Sequence, residues 1–374
     1  MEKECEDRLE GFKAVIHRVI CLGVFLSAFF GPGLSGAAGR TLITDQGDLQ
    51  AALNRARPGD TVFVPEGKYR LNSSVVIVKP VFIKGAGKLK TIFSHGEKSD
   101  FWLFRVEMVV KGRLRISEIG FEGRAPEESP GILLKGGPRD FRIDNCMFRR
   151  CSRRAIEVHG DASGVIDHND FIDNWYTAVV VFGDGEMGWS RPFSLGSGDA
   201  VFVEDNYFEQ KDVAEISMAH HIASNNGSRY VFRYNLVVDG YLGSHAVDAH
   251  GNKFGWKRGS RGFEIYKNRI SAVHRWAGIN IRGGDGVIFD NVFHGDFVSP
   301  VHLMHEGRGG DGVCEYPCVD QIRELYIWNN TLNGKPVNIK VRHPAIIQTD
   351  RDYFLMKKPG YKPFIYPHPL TKNN

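Results

Sequence analysis

Eight short segments of the chain repeat one pattern, in which apolar and polar positions alternate around a fixed residue. The segments read RISEIGF, RIDNCMF, VIDHNDF, FVEDNYF, VFRYNLV, EIYKNRI, VIFDNVF and YIWNNTL. Their fifth position is asparagine in six of the eight copies, namely Asn169, Asn206, Asn235, Asn268, Asn291 and Asn330. The positions three before and two after it are apolar in every copy. This alternation predicts β-strands, and the i, i+3, i+4 spacing of a helix is absent from these segments.

A second apolar motif precedes these segments and is usually closed by glycine. Examples are ILLKG, IEVHG, VVVFG, VDAHG and INIRG, in which alternate positions are apolar. Successive copies of the first pattern are separated by 23 to 39 residues, so a minimum unit of about 23 residues carries loops of variable size. Each unit therefore supplies at least two short strands with one buried face. Stacking unit on unit closes the sheets without long free edges.

The two ends of the repeat region differ from its middle. A short helix is predicted near the N-terminus from four apolar residues on one helical face, Leu49, Ala52, Leu53 and Ala56. Such a helix would cover the open end of the solenoid. We expect a single domain over 40–374, with its N-terminal cap over 40–64. The segment 351–374 is rich in proline and tyrosine, which excludes a central strand there. We expect it to be an extended tail that lies over the exterior of the coil or over its far end.

The repeated asparagine segments resemble the right-handed parallel β-helix family, the pectate-lyase-like superfamily, over roughly 41–335. In that family an asparagine in the tight turn after the second strand stacks into a ladder. The resemblance implies an all-β fold, a right-handed single-stranded parallel β-helix with an N-terminal capping helix. It also implies that substrate lies across the outward face of the strand that precedes the asparagine-turn strand.

Two of the glycine-closed strands are also loosely similar to alginate lyases and chondroitinase B-like lyases. Those enzymes carry a Lys and an Arg on successive turns, and VDAHGNK with Lys253 and INIRGGDG with Arg282 would correspond to them. The chain departs from that pattern in lacking an evident glutamate-rich calcium-ligand stretch. It also lacks the N-T-D, G-H-G and R-I-K motifs of polygalacturonase-type hydrolases, which disfavours that class.

The N-terminal segment predicts export. The apolar block VICLGVFLSAFF at 19–30 follows basic residues and precedes small ones, which is typical of a signal peptide. Because a membrane-spanning helix needs about 20 apolar residues, we expect a signal peptide over 1–39, no retained membrane anchor and a secreted or periplasmic mature chain. In an oxidising compartment Cys314 and Cys318 either form a local disulfide or remain two free thiols.

Composition narrows the partners. The chain has 374 residues, 42% of them hydrophobic and 25% charged, with a formal net charge of +4. These values exclude a disordered or fibrous protein. No run of Lys and Arg is long enough for a nucleic-acid surface, so we expect no nucleic-acid partner, and we expect a monomer. No paired C-x-x-C motif occurs, so structural zinc is not expected.

If the inward positions are assigned correctly, outward side chains form two columns spaced by roughly 5 Å per turn. The first column is Leu133, Glu157, Val180, Ala223, Asp248, Asn280 and His302. The second is Lys135, His159, Phe182, Asn225, His250, Arg282 and Met304. Long loops at 184–199, 252–261 and 305–323 would wall this face into a groove. A basic groove with aromatic residues suits an acidic polysaccharide.

The candidate site follows from these columns and loops. The candidate catalytic residues are His250, Arg282, Lys253 and Asp248. The candidate substrate-binding residues are His159, Asn225, Asn280, His302, Trp189 and Trp256. Lytic cleavage of a uronate chain needs a cation beside the sugar carboxylate, a base for the C5 proton and an acid for the leaving oxygen. We expect Arg282 to be the cation, and His250 or Lys253 to be the base.

The predicted function is therefore a secreted polysaccharide lyase that acts on an acidic, uronate-containing polysaccharide by β-elimination. The alternative is a non-catalytic glycan-binding or surface β-helix protein, in which these polar residues are simply solvated. His220, His221 and His245 are predicted to lie in or beside loops, where they either rim the groove or face solvent.

The strand that precedes each asparagine offers a rival surface. Asp144, Asp167 and Glu204 form an acidic column that Ca²⁺ could occupy, and Tyr266, Phe289 and Trp328 form an aromatic column on which sugars could stack. Neither column need bind a ligand: the carboxylates can simply be solvated, and the aromatic side chains can be covered by a tail such as 351–370. The cofactor remains open, with Ca²⁺ as the candidate and no metal ligand assigned.

Overall fold

The computed structural model describes residues 41–43, 48–108, 111–211, 220–253 and 258–372. The predicted signal peptide over 1–39 lies outside these residues. In the described part, nearly all strand pairs are parallel and join strands one coil apart, so the chain winds as a parallel β-helix. The fold class predicted from the sequence is confirmed. No helix of the described part is long and apolar enough to span a membrane.

The first face of the coil is one sheet that contains the strand before each asparagine turn. Its 12 strands, in order across the sheet, are Thr41–Ile43, Thr61–Val64, Phe82–Gly85, Leu114–Ser117, Arg139–Asp144, Ser163–Asp167, Val201–Glu204, Arg229–Arg233, Gly262–Tyr266, Asp285–Phe289, Leu325–Trp328 and Tyr353–Phe354. The predicted cap over 40–64 thus ends in a strand that already belongs to this sheet, because Thr61–Val64 pairs with Phe82–Gly85.

The second and third faces are joined in one sheet of 18 strands. The second face, after the asparagine turn, has Gly67–Leu71, Thr91–His95, Gly120–Glu122, Met147–Arg149, Asp170–Ile172, Tyr207–Gln210 and Thr331–Leu332. The third face has Val75–Ile77, Phe104–Glu107, Ile132–Lys135, Arg154–His159, Thr177–Phe182, His220–Asn225 and Ile339–Val341. The long strands Leu236–Ala249, Arg269–Ile281 and Val292–Leu303 run through both faces. Lys335–Pro336 pairs antiparallel with Thr331–Leu332.

Short elements complete the described structure. The predicted helix is present as Leu49–Arg55, with Leu49, Ala52 and Leu53 buried against the core. A five-residue helix, Glu186–Ser190, and a 3-10 turn, Pro369–Thr371, lie outside the coil. Glu306–Gly307 and Gly310–Asp311 form a small antiparallel hairpin.

The six repeated asparagines form a buried ladder along one edge of the coil. Asn235 shows the arrangement: its Oδ1 accepts a hydrogen bond from the Asn206 backbone N–H at 3.0 Å, and its Nδ2 donates to the Val203 carbonyl at 2.9 Å. The same bonds recur from Asn169 to Asn330. The residue before the ladder position has a φ of 52° to 57° in all eight copies. Because non-glycine residues rarely adopt this conformation, the ladder stabilises a locally strained turn.

Apolar side chains inside the coil also stack from turn to turn. Phe121, Phe148, Phe171 and Phe208 lie with neighbouring ring centroids 4.9, 5.1 and 4.6 Å apart and nearly parallel planes. These are the positions two after the ladder residue, which the repeat pattern predicted to be inward. Ring stacking adds to the burial of apolar area, so the same repeat that places the asparagines also fills the core.

The C-terminal tail lies over the first face, on the exterior of the coil. Arg233 donates hydrogen bonds to the Phe364 and Ile365 carbonyls at 2.8 and 2.9 Å. Tyr361 packs edge-on against Phe289 with ring centroids 5.8 Å apart. The tail therefore covers part of the aromatic column, which was the alternative to sugar binding for these residues.

Replacement of Asn235 by Ala tests the ladder. It leaves buried carbonyl and amide groups without partners, so we expect the free energy of unfolding to fall by about 2 kcal/mol or more. Chemical denaturation measures the change. The control is Asn54→Ala on the exposed face of the helix, where a change below about 0.5 kcal/mol is expected. Equal effects at both positions would contradict a structural role for the ladder.

Candidate functional site

The outward residues of the third face lie in the predicted columns. Strand pairing aligns Glu157 with Val180, Val180 with Ala223, and Ala223 with Asp248. It continues from Asp248 to Asn280 and from Asn280 to His302. Successive residues of this column are therefore neighbours along the coil axis, one on each turn.

A buried network of charges forms around Asp248. Arg282 holds the Asp248 carboxylate with two donors, one of them Nε at 2.9 Å from Oδ1. The other side of the guanidinium donates from Nη1 to Glu306 Oε1 at 2.5 Å. His250 lies between the two acids, with Nε2 at 2.8 Å from Asp248 and Nδ1 at 3.2 Å from Glu306. Two carboxylates thus surround one guanidinium and the imidazole of His250, and the imidazole of His245 also lies 3.2 Å from Asp248.

These contacts set the ionisation of the network. Burial opposes the charged form of Asp248, but Arg282 and His250 hold the pKa of that carboxyl well below its usual range. Burial also opposes protonation of His250, and Arg282 Nη2 lies only 2.7 Å from its Nε2. The Asp248 carboxylate outweighs both, and the pKa of His250 is raised above the ordinary imidazole value. His250 therefore keeps its proton to a higher pH than an ordinary imidazole does.

His220 has the opposite character. Its ring stacks on that of His245 at 4.2 Å, and its Nδ1 lies 3.1 Å from the His245 carbonyl oxygen. A carbonyl only accepts, so Nδ1 carries the hydrogen and Nε2 keeps its lone pair. Burial, followed by the neighbouring imidazole of His245, holds the pKa of His220 well below the ordinary value. Nε2 lies 3.9 Å from Asp248 Oδ2, beyond hydrogen-bond distance.

A cleft of about 390 Å³ opens beside these two histidines. Its apolar floor is formed by Val180, Phe182 and Ala223. The polar side chains that line it are Arg154, Tyr176, Thr177, His220, Ser224, Asn225 and His250. Tyr176 has a φ of 79°, a genuine outlier for a bulky residue. Strained residues of this kind cluster at functional sites, so the strain supports the cleft as the candidate site.

The other predicted residues fall into three groups. His250 and Asn225 line the cleft, and Asp248 and Arg282 lie in the network behind it. Glu157 lies 2.6 Å from His159 on the turns before the cleft. On the turns after it, His302 Nδ1 donates to Asn280 Oδ1 at 2.9 Å, and both side chains are buried.

The two loop candidates that the structure describes have structural partners. Lys253 Nζ lies 3.0 Å from Asp311, which ties the 252–261 loop to the hairpin. Trp189 donates to the Gly259 carbonyl at 3.0 Å and lies beneath the guanidinium of Arg258 at 4.1 Å. Neither residue lines the cleft, so the geometry gives them a role in holding loops together. Trp256 lies outside the described residues.

Arg282 also has a different setting from the one expected. The sequence predicts it as the cation that meets the sugar carboxylate. The structure buries it and pairs it with both Asp248 and Glu306. Burial disfavours its charge, yet the two carboxylates raise the pKa of Arg282 above its ordinary value. Its charge is already neutralised, and the geometry assigns it to positioning Asp248 and His250.

Metal binding fits poorly at the described acidic positions. Ligand atoms of His220, Asp248 and His250 lie within 4.8 Å of one another, but the guanidinium of Arg282 is bonded to the same carboxylate and would repel a cation. In the acidic column of the first face, Asp144 is bound by Arg115 at 2.8 Å and Asp167 by Arg142 at 2.8 Å. Glu204 is likewise bound by Arg233. These arginines occupy the oxygens that Ca²⁺ would need.

The four cysteines among the described residues fall into two pairs. Cys314 and Cys318 form a disulfide in the 305–323 loop, which was one of the two alternatives. Cys146 and Cys151 are buried and free. The disulfide consumes the two thiolates that would otherwise join His305 as metal ligands.

Sequence reasoning gave no role to Arg154, Tyr176 and Glu306. It named His220 as a residue that either rims the groove or faces solvent, but placed it in a loop, whereas the structure places it in a buried strand. His220 begins a third-face strand that matches the apolar pattern only partly, because Ser224 occupies an apolar place and Asn226 the place of the closing glycine. Arg154 and Tyr176 stand at and just before the starts of two such strands. Counting two residues back from the first inward position of each strand would have found Arg154, Thr177 and His220, since their pairing is in register.

Comparison with known proteins finds similar solved structures at low sequence identity. No family model and no curated protein sequence matches it. An alginate lyase from Paenibacillus sp. str. FPU-7 is 12% identical, with a TM-score of 0.48, covering 81% of this chain and 98% of the lyase. The A-module of the Azotobacter vinelandii mannuronan C-5 epimerase AlgE4 is 17% identical, with a TM-score of 0.49 and coverage of 82% and 90%. The catalytic domain of a GH87 alpha-1,3-glucanase is 10% identical, with a TM-score of 0.42 and coverage of 87% and 69%.

Replacement of Arg282 by Ala tests its structural role. It leaves the Asp248 and Glu306 carboxylates buried without their cation, so we expect the free energy of unfolding to fall by about 3 to 5 kcal/mol. The control is Lys253→Ala, whose half-exposed ion pair is expected to contribute less than about 1 kcal/mol. Urea denaturation of both variants measures the difference. An Arg282 variant as stable as the control would contradict the role in the network.

Proposed function

We propose that the protein is a secreted polysaccharide lyase that cleaves an acidic, uronate-containing polysaccharide by β-elimination. The observation that carries the proposal is the imidazole of His220 in the cleft. Its tautomer leaves Nε2 unprotonated, and it lies beside a buried carboxylate that remains ionised. An uncharged imidazole nitrogen at the wall of a cleft is suited to accept a proton from carbon.

The elimination step assigns roles to three residues of the cleft. His220 Nε2 takes the C5 proton of the uronate, and the C5–H electron pair forms the C4–C5 double bond. The C4–O bond breaks, and the leaving oxygen takes a proton from the hydroxyl of Tyr176, which lines the same cleft. Solvent then returns a proton to Tyr176 and removes one from His220. Asn225 offers an amide that can hydrogen-bond the sugar.

One group of the network, the Asp248 carboxylate, favours the charge that develops on His220, whereas burial and the neighbouring His245, His250 and Arg282 oppose it. Once protonated, its imidazolium lies 3.9 Å from the Asp248 carboxylate. Arg282 and His250 keep Asp248 ionised, and Glu306 fixes both of them. This preorganised charge needs no rearrangement during the reaction. His250, which the sequence suggested as the base, is in this proposal a positioning residue.

Replacement of His220 by Gln tests the proposed base. Loss of a general base lowers kcat by about 10² to 10⁴, and we expect a loss of this size. The assay is the ultraviolet absorbance of the unsaturated uronate formed from alginate, pectate or glycosaminoglycans. The matched control is His294→Gln on an exposed position of another face, which should leave kcat unchanged.

Two outcomes would contradict the proposal in different ways. Absence of unsaturated product from every uronate polymer with the unaltered protein would remove the lyase function. Full activity of the His220→Gln variant would retain the lyase and remove His220 as its base.

The pH dependence follows from the state of His220. The base must be neutral, and its pKa is lowered from 6.5, so the neutral form persists below that pH. We expect kcat/KM to stay level from neutral pH down through 6.5 and to fall only at lower pH. The measurement is kcat/KM across pH in a buffer series of constant ionic strength. A fall that begins above pH 6.5 would contradict the assignment.

A second candidate function is non-catalytic glycan binding, and one observation favours it. A groove of about 630 Å³ lies on the first face between Trp328 and the tail, lined also by Phe289, Tyr361, Lys357 and Lys362. Phe289 is buried between the rings of Tyr266 and Trp328, so the partly exposed ring of Trp328 is the one that can contact a sugar there. Retention of a uronate polymer without any unsaturated product would favour this candidate over the lyase.

A further inference from the structure

We infer that Arg154 is the residue that binds the carboxylate of the sugar, so that it selects uronate over neutral polysaccharides. The inference rests on the proposed function and deepens it, because the elimination needs a cation that Arg282 does not supply. It follows from the position, the incomplete charge pairing and the ring contact of Arg154.

Arg154 is the one Arg or Lys among the residues that line the described cleft. It begins the third-face strand Arg154–His159, and strand pairing aligns it with Thr177 and then with His220. The guanidinium and the proposed base therefore border the cleft two coils apart. Neighbouring parallel strands lie about 4.8 Å apart, so the two groups can contact the same sugar chain.

The charge of Arg154 is only partly compensated within the described residues. Its Nη1 donates to the Arg153 carbonyl at 2.6 Å, while its Nε is buried and has no hydrogen-bond partner there. The nearby carboxylate is that of Glu157, 3.8 Å from Nε and beyond hydrogen-bond distance. Glu157 instead lies 2.6 Å from His159. Burial lowers the pKa of Arg154, the direction expected for a cation that lacks a close anion.

Tyr176 holds the guanidinium in place. The Arg154 guanidinium carbon lies 4.7 Å from the centre of the Tyr176 ring, a cation–π arrangement that stabilises the guanidinium at the border of the cleft. The backbone of Tyr176 has the strained φ of 79°, which puts the ring under the guanidinium at a conformational cost. The contact also places the proposed proton donor beside the proposed carboxylate-binding group.

The guanidinium of Arg154 is suited to bind a carboxylate. A guanidinium with unused donors binds a carboxylate with two parallel hydrogen bonds. A carboxylate bound by the terminal nitrogens would neutralise the cation. In β-elimination, neutralising that carboxylate also acidifies the C5 proton, so the same contact contributes to binding and to the rate.

The test compares binding and activity in separate experiments. Binding is measured by calorimetry on the inactive His220→Gln background, with an oligouronate and with the same oligosaccharide after reduction of its carboxyl groups. We expect the background protein to prefer the oligouronate, and the added Arg154→Gln change to reduce that preference by about 10- to 100-fold. Arg154→Lys, which keeps the charge but not the fork, should retain part of the preference.

The neighbouring arginine supplies the matched control. Arg153 pairs with Glu128 at 2.6 Å, and neither residue lines the cleft, so Arg153→Gln should leave both binding and activity unchanged. Thermal unfolding checks that each variant is folded. In the otherwise unaltered enzyme, Arg154→Gln should lower kcat/KM for uronate polymer by about 10- to 100-fold as well. If Arg154 does not bind the carboxylate, kcat/KM should not change.

The outcomes separate this inference from the proposed function. An undiminished preference in the Arg154→Gln variant overturns the role of Arg154 while unsaturated product still supports the lyase. Equal or undetectable binding of both oligosaccharides by the His220→Gln protein overturns the uronate specificity itself. Absence of unsaturated product together with a preference that depends on Arg154 overturns the lyase and retains the carboxylate site.

Discussion

The register between successive coils is the constraint on which the rest of this structure depends. Outward and inward side chains alternate along a strand, so a slip of one residue would move Asp248 from the outer face into the apolar core. The buried asparagine ladder opposes such a slip, because each amide bonds to the backbone of the neighbouring coils. The stacked phenylalanines of the core repeat at the same interval. Register and packing thus support one geometry.

That geometry allows charged groups to be buried in two different ways. On the first face, Arg115 and Arg142 bind Asp144 and Asp167 beneath or beside the tail. On the third face, Arg282 binds two acids, and His250 shares both of them. A buried carboxylate without its partner would lower the free energy of unfolding. The first network therefore keeps the C-terminal tail bound to the coil, and the second keeps the 305–323 loop bound to it. Only the second network borders a cleft with side chains that can exchange protons.

The fold and the outward columns could be predicted because they depend on a short repeat. The alignment of Glu157, Val180, Ala223 and Asp248 follows directly from the spacing of the apolar positions. The roles within the site could not be read in the same way. Arg282 becomes neutralised because the 305–323 loop folds back and delivers Glu306, and no periodic pattern describes that loop.

His220 shows the same limit from the other side. Its sequence neighbours gave it no distinguishing feature, and its character comes from the His245 carbonyl one coil away and from burial. Trp189 illustrates the reverse case, since a loop tryptophan suggested a sugar contact but is bound between loops by Arg258. The position of a side chain on the coil therefore follows from the repeat, whereas its role depends on contacts with loops and neighbouring coils that the repeat does not encode.

The place of the cleft along the coil has a simple steric cause. Between the acids Glu157 and Asp248, the first outward column holds two short apolar residues, Val180 and Ala223. Three strand spacings separate the two acids, about 14 Å, and the short side chains leave this space open. Longer residues at these two positions would fill the cleft without disturbing the register. The candidate site thus results from small side chains on a rigid face, and its chemistry comes from the polar residues that border the gap.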